Sequence, residues 1–82
     1  MGKKVVAVFG NLVIKMDAGS TDSHDRKPPH VSFVENGWEK YDHIYLDDVD
    51  DLAGNDRNEK DAIYWLRKHK KELIAEYNRL NC

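Results

Sequence analysis

Two dipeptides limit what this chain can fold into. Gly10-Asn11 and Asn36-Gly37 each interrupt a run rich in β-branched, apolar and aromatic residues. Two-residue turns of this composition use the positive-φ backbone that glycine and asparagine accept at little cost. Lys4 to Phe9 and Leu12 to Met16 flank the first pair and read as a hairpin over 4–16. Around the second, His30 to Glu35 alternates, with Val31, Phe33 and Glu35 on one face and His30, Ser32 and Val34 on the other. Trp38 to Leu46 returns, with Ile44 and Leu46 sharing one face and Tyr41, His43 and Tyr45 the opposite one. This second hairpin spans 30–46, and the two are expected to join in one four-stranded antiparallel sheet.

A sheet with an apolar face needs cover. Asp56 stands three positions before Glu59, the spacing of a capping box, and beyond it Ile63, Leu66, Leu73, Tyr77 and Leu80 recur at helical spacing with Ala62 and Ile74 beside them. The pattern predicts one long helix over 58–80, with Trp65 at the rim of its apolar stripe or outside it. The expected fold class is α+β, with two antiparallel hairpins forming a small sheet packed by one long C-terminal helix, as a single domain over 1–82. Residues 17–27 carry no periodicity and consist almost wholly of loop formers, which predicts an exposed, mobile loop. Pro28-Pro29 imposes an extended approach to the second hairpin, and 47–57 reads as an acidic loop.

The size and composition exclude several classes. A chain of 82 residues has room for one core and buries only about 60% of its unfolded surface, while 40% hydrophobic and 34% charged residues indicate a globular chain, not a disordered one. Cys82 is the only cysteine, so neither an internal disulfide nor a cysteine-based metal cluster can form; a reducing, cytoplasmic location is expected, and the thiol itself reads as incidental. Lys3-Lys4 before Val5 to Phe9 superficially fits a secretion signal, but Gly10-Asn11 breaks the run and no small-residue cleavage site follows, so it reads as a strand. No run approaches the roughly 20 apolar residues of a membrane span. Net charge is −2, yet 1–40 carry about +1, 41–61 about −6 and 62–82 about +3. A globally basic nucleic-acid binder is not indicated. Without a phosphate-cradling glycine loop, nucleophile elbow or His-Glu-x-x-His pair, no cofactor is expected.

Three groups of residues could carry chemistry. In His24-Asp25-Arg26-Lys27-Pro28-Pro29-His30 a polar loop delivers an imidazole through a rigid hinge onto the start of a strand. His30 with His24 as its counterpart has the residue types for acid–base catalysis near neutrality, and Arg26 and Lys27 those for holding a phosphate, as in a metal-independent ribonuclease. The plainer alternative has His30 bonded to a loop carbonyl. Asp22, His24, Asp25 and His30 could also ligate a divalent ion, but their spacing matches no metal motif and no metal is expected. Asp47, Asp48, Asp50 and Asp51 form an acidic belt that lacks the glycine and glutamate of a calcium-binding loop. It reads either as a solvated segment favourably placed before a helix N-terminus or as a docking surface for a basic partner. His69 lies among Arg67, Lys68, Lys70 and Lys71, cations expected near the end of a helix.

Pro28-Pro29-His30 and, on the helix, Trp65, His69, Glu72 and Leu73 carry a resemblance over nearly the whole chain to domain of unknown function 4160. That family of short bacterial proteins pairs a Pro-Pro-His signature with a Trp-x-x-x-His-x-x-Glu-Leu helix. Ser32 stands where the family has a second strand histidine, and a longer loop displaces the upstream histidine to His24. The resemblance implies a small α+β protein of toxin–antitoxin-like or mobile-element modules, with no established activity. The leading expectation is a non-enzymatic protein that binds a macromolecular partner, a protein foremost and RNA as the alternative, with no membrane contact. A ribonuclease-type toxin using His30 and His24 is the second expectation. An acidic inhibitor that mimics nucleic acid on a defence enzyme is the third.

Overall fold

A computed structural model describes residues 2–18 and 28–81. Strands β1 (Gly2–Phe9), β2 (Leu12–Ala18), β3 (His30–Glu35) and β4 (Trp38–Tyr45) form one antiparallel sheet in the order β1-β2-β3-β4. Both turns use the expected backbone, with φ of 62° at Gly10, 52° at Asn36 and 82° at Gly37. Strand β2 runs past Met16, because Asp17 and Ala18 pair with Lys3 and Gly2. The expected loop therefore loses its first two residues to the sheet. Its remainder, residues 19–27 with His24, Arg26 and Lys27, lies outside the described residues, as does Cys82.

After β4 the acidic stretch is not a loop: Leu46–Asp51 winds into a 3₁₀ helix that buries Leu46 and Val49, whose three-residue spacing puts both on one face of a three-per-turn helix. Two helices follow where one is expected, α1 (Arg57–Lys68) and α2 (Lys70–Leu80), broken at His69 with φ −108° and ψ 17°. The physical reason lies in the stripe. Between Leu66 and Leu73 the inward positions 69 and 70 hold a histidine and a lysine, so no apolar side chain presses that turn onto the sheet. There the Trp65 ring packs on His69 at 4.9 Å, and Glu72 approaches His69 Nδ1 at 3.3 Å. Trp65 is half-buried and meets Phe9 edge-on at 6.1 Å.

The core lies between one sheet face and the helices. Leu12, Ile14 and Met16 of β2, Val31 and Phe33 of β3 and Ile44 of β4 meet Leu46, Val49, Ala62, Ile63, Leu66, Leu73 and Tyr77. The opposite face is left open, and the register aligns Val8, Val13 and Val34 across it. Lys3 also reaches over this face, with Nζ 2.7 Å from Glu39 and 3.2 Å from Ser32 Oγ. Both outer strands depart from regular pairing. The register shifts by a residue at Val6 in β1 and twice along β4, between the partners of Val31 and Phe33 and again between those of Phe33 and Val34. These bulges interrupt the two edges at which a further strand could add. They also correct the face expected for Tyr41, which pairs with Phe33 and points to the helix side together with Ile44.

Two measurements test this packing. Leu66 is completely buried and Trp38 is 81% exposed. Leu66→Ala is expected to cost about 2–5 kcal/mol in urea denaturation and Trp38→Ala less than about 0.5 kcal/mol; equal costs would contradict the architecture. The second concerns Glu76, which ties β1 to α2 through Lys4 at 2.6 Å and pairs with Arg79 at 2.7 Å. Arg79 and then Lys4 hold the Glu76 carboxyl down to about 2 from 4.5. A depressed carboxyl binds fewer protons folded than unfolded, so its contribution is present above pH 4.5 and is lost as the pH falls toward 2. Glu76→Gln should therefore flatten the acid limb of the stability profile in that window.

Candidate functional site

Strand β3 brings the first candidate, His30, into the interior. The ring is 4% exposed and lies against His43 at 4.8 Å, Tyr77 at 5.3 Å and Tyr45 at 5.9 Å. Its Nδ1 is 2.9 Å from the Pro28 carbonyl oxygen and its Nε2 is 3.1 Å from Asp17 Oδ2. Both neighbours are oxygen acceptors within the protein. The buried ring therefore turns both nitrogens to partners inside the protein and presents neither at the surface. The Pro-Pro-His segment instead clamps the start of β3: Leu46 N–H donates to the Pro29 carbonyl at 3.0 Å, and Asn81 Nδ2 donates to the Asp17 carbonyl at 2.8 Å. Burial, with Asp17 and Tyr45 nearby, raises the Tyr77 phenol above its ordinary value and keeps it neutral.

The second candidate, the acidic belt, is presented on the 3₁₀ helix. Asp47, Asp48, Asp50 and Asp51 are all exposed. Arg67 anchors the segment from below, donating to the carbonyls of Val49 at 2.9 Å, Asp50 at 3.4 Å and Leu52 at 2.7 Å. Lys70 lies 3.6 Å from Asp50, while no described residue forms an ion pair with Asp47, Asp48 or Asp51. The belt is thus a row of carboxylates held on an ordered turn. Among the described residues, no group of three or more His, Cys, Asp or Glu side chains comes together to hold a metal ion.

A third site escaped the sequence reading. Beside the belt, β4 and α1 enclose an open groove of about 520 Å³ whose lining includes Phe33, Tyr41, Ile44, Leu52 and Ile63. At its wall stands Glu59, 2% exposed. Asp56 caps α1 by accepting from Glu59 N–H at 2.9 Å, which lowers the Asp56 carboxyl, with help from Lys40. The reciprocal half of the capping box is absent, because the Glu59 side chain turns away. Its Oε1 accepts from Asn55 N–H at 3.3 Å and from Tyr41 OH at 3.5 Å. Its Oε2 is held by the Lys40 ammonium 2.5 Å away. That contact raises the Lys40 pKa. Lys40 also lies 3.5 Å from both Glu35 and Asp56. One sequence signal could have found Glu59: it stands four positions before Ile63 and seven before Leu66, a carboxylate on the apolar stripe.

The site therefore combines an apolar floor, tyrosine rings, one buried carboxylate and the acidic 3₁₀ helix on its border. Asp48 lines the groove and belongs to the belt, so the two features are continuous. No family model matches the chain, and no curated protein and no solved structure is significantly similar to it.

The His30 geometry carries its own test. His30→Ala leaves the Pro28 carbonyl and the Asp17 carboxylate without their donor, and is expected to cost about 1–3 kcal/mol in urea denaturation. An unchanged denaturation midpoint would deny His30 its clamping role.

Proposed function

We propose that this chain is a non-enzymatic binding protein that receives a basic segment of a protein partner along the groove beside β4. The observation that carries the reading is the continuity of an apolar groove with the row of carboxylates at Asp47, Asp48, Asp50 and Asp51. An apolar cleft rimmed by one sign of charge selects a ligand with an apolar anchor and the opposite sign, and its long-range field speeds the encounter. The resemblance to domain of unknown function 4160 adds the context of a toxin–antitoxin-like or mobile-element module. The ribonuclease reading has less support, since His30 is enclosed and both its ring nitrogens face acceptors.

The test uses isotope-labelled protein titrated with a short peptide of arginine and lysine around one leucine, with its glutamate counterpart, and with oligouridine. The expected result is that amide shifts of Tyr41, Ile44, Leu52 and Asp48 move with the basic peptide alone. Replacing Asp47, Asp48, Asp50 and Asp51 together by asparagine should weaken that binding and reduce its salt dependence, since salt screens such fields over about 8–10 Å at physiological ionic strength. Binding of oligouridine in place of the basic peptide would overturn the proposal, as would an undiminished affinity of the folded fourfold variant at low salt.

A further inference from the structure

The groove contains one buried carboxylate that depends on a single cation. Glu59 is a buried carboxylate whose Oε2 is held by the Lys40 ammonium alone, 2.5 Å away, and whose Oε1 accepts two long bonds at 3.3 Å and 3.5 Å. A buried carboxylate is costly unless its lone pairs are filled. The group closest to filling them, Lys40, is a poor fit. An ammonium is a point charge and cannot fork across two carboxylate oxygens, whereas a guanidinium presents parallel N–H donors in the plane that a carboxylate requires.

Lys40 has other carboxylates within reach. Its side chain is 30% exposed, and Glu35 and Asp56, each 3.5 Å away, would keep it paired after it gave up Glu59. Swinging outward, it would open the wall of the groove at the point where the carboxylate lies. Tyr41 stands beside that point, with its OH 3.5 Å from Glu59 Oε1, and offers a ring face to a planar cation. Ile63 and Leu52 line the way in and suit the aliphatic stem of a long side chain.

Resting on the basic-segment reading above, we infer that Glu59 is the seat of a single arginine side chain of the partner, which displaces Lys40 and forks onto the carboxylate beside Tyr41. The acidic belt then attracts the segment, and Glu59 chooses arginine over lysine within it.

The experiment compares three peptides on the wild-type protein, identical except at one position: arginine, lysine or citrulline, which keeps the shape of arginine without its charge. The expected order is arginine tightest, with citrulline weaker by about tenfold or more, the effect of losing charged hydrogen bonds to a buried carboxylate. The carboxyl-carbon resonance of Glu59 should move with the arginine peptide and not with citrulline. Glu59→Gln, where it folds, should bind arginine and citrulline peptides alike; the resonance decides if it does not fold. Equal affinity for all three peptides, or an arginine preference with a stationary Glu59 resonance, would overturn the seat while leaving the basic-segment reading intact. Failure of every basic peptide to bind would overturn both.

Discussion

A carboxylate lies where little water can follow it, and much of the second half of the fold is arranged around that fact. Glu59 opens α1, yet its side chain is turned inward to the junction of α1, β4 and the residues joining them. Leaving such a charge uncompensated would cost several kcal/mol, more than a domain of this size can spare. The compensation comes from three separate places. Asn55 supplies a backbone N–H, Tyr41 a hydroxyl and Lys40 an ammonium. Each constrains the chain that carries it. Tyr41 and Lys40 are consecutive, so a regular strand would send them to opposite faces; the bulges of β4 bring both to Glu59. Gly54 presses against the start of α1, where a Cβ would come within 2.7 Å of Lys60 N, and this closeness lets Asn55 reach back to the carboxylate.

The opposite end of the molecule is tied by a second polar arrangement, built on the Pro28-Pro29-His30 segment. There the imidazole joins the Pro28 carbonyl to Asp17, and Asn81 joins the end of α2 to the same stretch of β2. Two groups of residues stand at joints of the fold. Pro28, Pro29 and His30 begin β3, while Trp65, His69, Glu72 and Leu73 surround the break between α1 and α2. The groove borders the first of these joints, since His43 and Tyr45 line it and also pack on His30.

Local signals made the sheet legible and hid the groove. Gly10-Asn11 and Asn36-Gly37 specify turns through their own backbone preferences, so both hairpins could be read without tertiary knowledge. The apolar stripe likewise gave the helical region, but its gap at His69 and Lys70 was a weakness that periodicity alone did not mark as a break. The faces of β4 were not readable, because a bulge depends on pairing with β3 and leaves no trace in alternation. The same reason concealed Glu59: its partners Lys40 and Tyr41 come from a strand 18 residues or more away, and a glutamate three positions after an aspartate reads first as a helix cap. The acidic belt was plain as composition, whereas its winding into a 3₁₀ helix depends on Arg67 reaching its carbonyls from α1.

A double-mutant cycle on Lys40 and Glu59 tests most directly the claim that this corner is organised by a buried charge and its cation. Lys40→Met, Glu59→Gln and the combined variant are compared with the parent by urea denaturation. If Lys40 compensates the carboxylate, removing it costs more while Glu59 is present than after Glu59→Gln, with a coupling energy above about 1 kcal/mol. Additive costs, with no coupling beyond about 0.3–0.5 kcal/mol, would contradict the account.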